Sequence, residues 1–255
     1  MEETPDRPSW EPELTMPPRP EPQAQFNQLQ RLWMMFASPG KVFADIAIKP
    51  SWVLAMILLV ILGVAAQFVI IPHVDTEATI RARMAERGTE LSDEQIEGFV
   101  EQSEKFTKFA PAIGIVVGPI AWFIMAAIFF VLLKMVGSDA DYVKALSTAI
   151  HGYWPASIVQ LILTSVLIQR MGKMPQNELA NVVKSHLGVL LSPDAPAWLT
   201  AAASTISIFN IWTVVLLILG FATVGKISKG RAAVVTLVPW AVWLVGKAGI
   251  AMITG

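Results

Sequence analysis

Long apolar runs alternate along the chain with short polar connections. A helix needs about 20 mostly apolar residues to cross a bilayer, because the hydrocarbon contains no water to satisfy exposed backbone groups. Five runs meet this need: Trp52–Ile71, about Pro111–Val136, about Thr148–Gln169, about Trp198–Val224 and Ala232–Ile253. We therefore predict an all-α polytopic membrane protein, with a bundle of five transmembrane helices over residues 50–255 and amphipathic interfacial helices beside it.

Residues 26–49 have apolar positions at helical spacing but are too short to span a bilayer. One apolar stripe consists of Leu29, Leu32, Trp33 and Phe36. Ser38 followed by Pro39 is a typical start for a second helix. Two interpretations remain open: the pair lies in the cytoplasmic headgroup layer, or it packs against the bundle.

Two of the longer connections also carry helical patterns. Residues 73–108 predict a helical hairpin with more acids than bases, in which Ser92 and Gln95 have the spacing of a capping box. In the other connection, apolar residues recur at helical spacing between Leu179 and Leu190. They predict a surface-lying or bundle-capping helix.

The N-terminal segment predicts a tail, and one basic loop gives the orientation of the chain in the membrane. Residues 1–25 are acidic and proline-rich, and predict a disordered tail. The loop KISKGR at 226–231 has three cations and no acid, so the positive-inside rule assigns it to the cytoplasm. Counting spans back from this loop predicts a cytoplasmic N-terminus, an extracytoplasmic C-terminus and an extracytoplasmic hairpin.

The composition argues for a membrane protein and against several classes of binding function. Charged residues make up 15% of the chain, against about 25% in soluble domains, so much of the surface is expected to face lipid. A net charge of −1 without a long basic block argues against nucleic-acid binding. Without cysteine, and with His73, His151 and His186 far apart, we expect neither a metal site nor a cofactor.

The stretch DADYVKALSTAIHGYWP, residues 139–155, concentrates polar side chains beside apolar runs. Tyr142 and Tyr153 would lie about 16 Å apart along a helix, too far to act on one bond. His151 with Thr148 is the nearest approach to a base beside a nucleophile, and Pro155 should kink the helix. We interpret the stretch as an interface and a kink, with a hydrogen-bonded packing role for His151, and expect no enzyme activity.

Asn210 lies inside the fourth apolar run, where an amide needs a hydrogen-bond partner. We expect that partner to come from packing between helices, and contact with a substrate is the alternative.

Three stretches resemble the Yip1 family of polytopic membrane proteins, particularly its bacterial branch. They are SPGKVFADIAIKPSW, DYVKALSTAIHGYWPASI and FNIWTVVLLILGFATVGKISKGRAAVV, in matching order along residues 30–250. The resemblance implies a five-helix bundle with a cytoplasmic N-terminus. The matching positions, implied to be structural or interaction positions, are Pro39, Tyr142, Tyr153, Pro155, Trp212, Gly220 and Lys229. Eukaryotic relatives contact Rab GTPases, but the DLYGP motif is missing here, so GTPase binding is not carried over.

We expect a non-enzymatic membrane protein of the bacterial inner membrane. It would organise or assist transport, export or envelope components through contacts with the lipid bilayer and with a membrane-protein partner or a second copy. The alternative is a lipid- or small-solute-conducting carrier, in which His151, Pro155, Gln160 and Asn210 form a polar seam between helices.

Overall fold

In the computed structural model, the regular structure of the chain is helical. The structure describes residues 23–86, 88–192 and 194–254. Within these ranges there are no β-strands, only two isolated backbone bridges. The prediction of an all-α polytopic membrane fold is confirmed. Residues 1–22, most of the predicted disordered tail, lie outside the described residues.

The α-helices are named in chain order. They are α1 (Gln28–Ala37), α2 (Pro39–Ile48), α3 (Val53–Ile70), α4 (Thr76–Glu86), α5 (Asp93–Thr107), α6 (Ala110–Met135), α7 (Tyr142–Ile168), α8 (Ala197–Thr205), α9 (Ile208–Val224) and α10 (Lys229–Thr254). Short 3-10 helices cover Ile71–His73, Gln176–Asn181 and Leu187–Leu190.

Four helices in the described ranges are long and apolar enough to cross a membrane. They are α3 with its 3-10 extension, α6, α7 and α10. A shorter apolar helix, α9, has 17 residues. Large apolar side chains such as Ile120, Ile124 and Val242 are exposed on these helices, as expected where a protein faces lipid.

The fourth predicted span is a broken helix, so the prediction of one continuous helix over 198–224 is wrong. The segment divides into α8 and α9, and Ile206 between them has extended backbone. The Ser207 hydroxyl oxygen accepts a hydrogen bond from the backbone N–H of Asn210 at 3.1 Å. This serine cap satisfies an N–H group that a new helix leaves free, and so starts α9 inside an apolar run.

The predicted helix over 179–190 is also wrong. The segment contains two 3-10 turns and no α-helix. Between them the chain pairs with the break before α9: Leu187 N–H donates to the Ile206 carbonyl, and Ile208 N–H donates to the Ser185 carbonyl, both at 3.0 Å. These extended pairings take up backbone groups that a helix would have used.

The apolar helices alternate in direction, and their connections meet at two ends. At one end the Ser138 hydroxyl donates to the Gly225 carbonyl at 2.9 Å, which joins the α6–α7 loop to the α9–α10 loop. Because Phe43 of α2 packs against Gly220, near this end of α9, we name it the α1–α2 end. At the other, the hairpin end, Asp75 N–H donates to the Met174 carbonyl at 2.8 Å.

The hairpin end carries α4 and α5. Ser92 and Gln95 form the capping box that their spacing predicts. Both helices carry exposed ion pairs. In one of them, the hydrogen bond from Lys105 lowers the pKa of the Glu101 carboxyl group. These pairs lie in water, where such interactions stabilise little. That the hairpin is extracytoplasmic stays a prediction.

The start of α3 lies well inside the bundle. Trp52, directly before α3, meets Phe123 edge-on with ring centroids 5.4 Å apart. Phe123 lies about three turns before Met135, the end of α6, which is roughly 18 Å along the helix axis. The pair α1–α2 fills the resulting space against α7 and α9, and Phe43 of α2 is completely buried there.

Candidate functional site

A buried polar cluster lies where α1 and α2 meet the start of α3. Arg31 Nε donates to Asp45 Oδ2 at 2.7 Å, and Arg31 Nη1 donates to the Ser51 hydroxyl at 2.6 Å. The backbone N–H of Gln25 donates to the second oxygen of Asp45. Only 2% of the Arg31 side chain and 3% of the Asp45 side chain are exposed. The cluster therefore ties three consecutive segments of chain together.

The two charges lie on faces that the sequence otherwise makes apolar. Arg31 is followed by Leu32 on the buried face of α1, and Asp45 lies between Phe43 and Ile46 on the buried face of α2. Neither residue was among the sites predicted from the sequence. One sequence signal could have indicated the buried acid: Asp45 lies on the same helical face as the apolar Val42 and Ile46.

The first turns of α7 form the wall beside this cluster. His151 Nδ1 lies 2.8 Å from the Ser147 carbonyl oxygen. A carbonyl can only accept, so Nδ1 carries the hydrogen and donates, and Nε2 of the neutral ring is an acceptor. The hydroxyls of Ser147 and Thr148 are buried without a hydrogen-bond partner among the described residues. The helix α1, which carries Arg31, packs against α7.

The cluster joins α1, α2 and the start of α3 through one ion pair and its hydrogen bonds. Beside it, the hydrogen bond from Nδ1 to the Ser147 carbonyl orients the His151 ring. The Arg31 and Asp45 charges neutralise each other. In the ranges that the structure describes, no group of three His, Cys, Asp or Glu side chains could hold a metal ion.

The predicted residues of α7 contact α6 rather than one another. The Tyr142 hydroxyl donates to the Phe123 carbonyl at 3.0 Å. Tyr153 packs edge-on against Trp122, with ring centroids 5.1 Å apart. Pro155 is buried, and α7 runs through it without interruption. Because proline has no N–H, the His151 carbonyl loses its usual helical donor.

Three further predicted residues lie at helix contacts of α1 and α2. Pro39 lies between α1 and α2, and Trp212 and Gly220 lie where α9 meets α1 and α2. Pro39 is the first residue of α2, where its missing N–H costs nothing. Trp212 meets Phe36 edge-on, with ring centroids 6.1 Å apart. At Gly220, a Cβ atom would lie 2.7 Å from both Phe43 and Thr148, so only glycine lets α2, α7 and α9 approach this closely.

Asn210 and Lys229 lie apart from the polar cluster. Asn210 Nδ2 donates to the Thr205 carbonyl at 2.7 Å, across the break between α8 and α9. The amide therefore has a structural partner. Lys229 is the first residue of α10 and is exposed.

α1 has a second apolar face, which is not buried in the bundle although Phe36 touches Trp212 at its edge. Leu29 is 63% exposed, Trp33 is 77% exposed and Phe36 is 40% exposed. We name these three residues the α1 outer face. The stripe predicted from the sequence is thus divided, because Leu32 points inward and is buried.

The family model of the Yip1 domain matches residues 33–250. The chain belongs to the Yip1 family. The match begins within α1 and ends within α10, so it covers three of the four candidate spans of this Yip1 protein completely, most of the fourth, and Asp45 of the polar cluster. A Yip1 domain and four span-length helices together make the chain a multi-pass integral membrane protein. Comparisons with curated proteins and with solved structures found no match.

Proposed function

We propose that this Yip1 protein is a non-enzymatic organiser of the membrane, which assists transport, export or envelope components through protein and lipid contacts. One observation carries the proposal: a buried ion pair fixes α1 and α2 to the bundle while the α1 outer face stays uncovered. An apolar helix face that is fixed in direction and not buried in the bundle is available for contact with lipid or with a partner protein.

The polar residues within the spans support a structural role for the interior. His151 bonds to its own helix and Asn210 bonds across the α8–α9 break. Gln160, a third member of the seam that a carrier would need, is exposed on the outside of α7. These three side chains therefore favour the organising role over the carrier alternative.

The proposed setting is the bacterial inner membrane with the N-terminus in the cytoplasm. The cations of the loop at 226–231 support this orientation, because positive loops remain on the cytoplasmic side. In that orientation the α1 outer face meets cytoplasmic or inner-leaflet partners. The partner would be another membrane protein or a second copy of the chain.

Co-purification of the full-length protein from native membranes in mild detergent tests the proposal. The variant Leu29→Gln/Trp33→Gln removes the apolar character of the α1 outer face, and Leu187→Gln/Leu190→Gln does the same to exposed residues near the hairpin end. We expect wild type and the second variant to retain the same partner, and the first variant to lose it. Recovery of the wild-type protein always alone would refute the proposal, as would equal partner loss in both variants.

A further inference from the structure

An apolar groove runs along α3 where this helix meets α6. We name it the α3–α6 groove, and its volume is about 600 Å³. Both helices are candidate spans, and the groove residues Ile61 and Phe68 are 56% and 66% exposed. The groove therefore opens toward the lipid hydrocarbon. Its lining residues are all apolar: Met56, Ile57, Val60, Ile61, Val64, Ala65 and Phe68 of α3, with Ile115 and Pro119 of α6.

The dimensions of the groove suit one lipid tail. Met56 and Phe68 are 12 positions apart on α3, which corresponds to about 18 Å along the helix axis. The hydrocarbon of a bilayer is about 30 Å thick, so a tail of one leaflet covers roughly 15 Å. An α-helix about 10 Å wide and 18 Å long would fill roughly 1,400 Å³, more than twice the volume of the groove. A thin chain therefore fits the groove better than a helix of a partner protein.

Two polar groups lie beside the groove near the hairpin end. Gln67 is one turn before Ile71, where α3 ends, and its Nε2 atom lies 2.8 Å from the position of a Cβ atom at Gly114 of α6. Its side-chain amide has no hydrogen bond to any of the described residues. Because Pro119 has no N–H, the Ile115 carbonyl loses its usual helical donor.

These polar groups indicate which part of a lipid lies at this end. An amide without a partner is costly in hydrocarbon, so Gln67 favours a ligand that offers an acceptor or a donor there. In a phospholipid, the ester carbonyl groups join the tails to the headgroup. They lie where the hydrocarbon meets the polar layer, as Gln67 does one turn from the end of its span.

We propose that the α3–α6 groove binds one phospholipid of the leaflet at the hairpin end. One acyl tail lies along the α3 wall of the groove, and the Gln67 amide donates to an ester carbonyl oxygen of the same lipid. This inference rests on the proposed function, since it names one of the lipid contacts and the surface that makes it. It does not involve the α1 outer face.

A photoactivatable lipid locates the tail. The full-length protein is reconstituted in phosphatidylcholine nanodiscs that contain phosphatidylcholine with a diazirine in one tail, and the crosslinked residues are identified by mass spectrometry. We expect more crosslinks at Ile61 and Phe68 than at Val242 of α10, which is 67% exposed. Ala65→Trp fills the groove and should remove this excess. Val242→Trp adds the same ring outside the groove and should leave the excess unchanged.

An ether-linked lipid tests the hydrogen bond from Gln67. Phosphatidylcholine with the same tails in ether linkage has no ester carbonyl oxygens. In native mass spectrometry, we expect wild type to retain the ester lipid about two- to tenfold better, the effect of one net hydrogen bond. Gln67→Leu should retain the two lipids equally. Gln160→Leu removes an exposed amide from α7 and is the matched control, which should keep the preference.

A second copy of the chain is the other occupant that the experiments detect. Because the chain has no cysteine, Ile61→Cys introduces a single thiol. Disulfide-linked dimers of this variant in nanodiscs would place a second copy in the groove and overturn the inference. Equal crosslinking of the groove and Val242 in wild type would also overturn it, as would equal retention of the ester and ether lipids. The ester comparison needs no groove-filling variant, so it holds even if Ala65→Trp fails to fold.

The two proposals fail separately. If the groove shows no excess of crosslinks but the protein still retains a partner protein, the lipid inference is wrong and the organising function stands. If the groove holds the lipid but the protein is always recovered alone, the organising function is wrong.

Discussion

Arg31 and Asp45 form a 2.7 Å ion pair from which solvent is almost entirely excluded. The pair joins α1 to α2, and the bond from Arg31 to Ser51 joins both to the start of α3. Removing two charges from water costs several kcal/mol for each ion, so such a pair adds little net stability. Its effect is positional: it fixes α1 and α2 over the early start of α3, and so fixes the direction of the α1 outer face.

Breaking one side of this pair should be costly. Asp45→Asn or Arg31→Gln leaves a buried charge uncompensated, and we expect each to lower the free energy of unfolding by about 3–5 kcal/mol. The double variant Arg31→Met/Asp45→Leu should recover most of that loss, because neither charge remains. Denaturant unfolding in detergent micelles measures all three changes.

An exposed pair is the control for this prediction. Glu101→Gln removes the partner of Lys105 on the hairpin, where both side chains lie in water, and should leave unfolding unchanged within error. If Asp45→Asn behaved in the same way as Glu101→Gln, the buried pair would not be holding α1 and α2 in place.

Gly220 should tolerate no side chain. A methyl group there would lie 2.7 Å from Phe43 and Thr148, both completely buried, so α2 and α7 would have to move. We expect Gly220→Ala to cost about 1–3 kcal/mol, the usual penalty of overpacking. Gly63 has nothing within 4 Å of its Cβ position, and Gly63→Ala is the matched control. Equal thermal stability of the two variants in detergent would contradict the close packing.

Hydropathy predicted the spanning helices because a bilayer requires a continuous apolar run, whatever the partner helices are. Because hydropathy is averaged over a window of about 20 residues, it did not reveal the break at 206–207. The break depends on three polar residues, Thr205, Ser207 and Asn210. Their low hydropathy is outweighed in the average by the apolar residues around them. Serine three residues before asparagine was the available sign of a helix start.

The polar cluster could not be predicted for a different reason. Charges on short amphipathic helices usually face water, so Arg31 and Asp45 gave no signal by residue type. Their pairing depends on how α1 folds back on α2, a tertiary relation between positions 14 residues apart. Asn27 and Pro39, by contrast, are local signals, and they start α1 and α2 where such residues usually do.

We expect the Asn210 side chain to stabilise the break between α8 and α9. In Asn210→Leu the Thr205 carbonyl loses its donor at a buried residue, and we expect a loss of about 1–3 kcal/mol in unfolding free energy. Gln160→Leu, on the exposed side of α7, should cause no loss. Unchanged stability of Asn210→Leu would show that its amide is not needed at the break, and would return Asn210 to the carrier hypothesis.

The two tyrosines of α7 provide the sharpest comparison, since the same change tests a bonded and an unbonded hydroxyl. The Tyr142 hydroxyl donates to the Phe123 carbonyl at 3.0 Å. Tyr153 has a ring contact with Trp122, and the structure gives its hydroxyl no hydrogen bond within the described residues. Replacement by phenylalanine keeps both rings, so Tyr142→Phe should cost about 1 kcal/mol while Tyr153→Phe is neutral. Unfolding of the two variants side by side measures the difference, and a larger loss at Tyr153 would mean that its hydroxyl, not that of Tyr142, joins α7 to its surroundings.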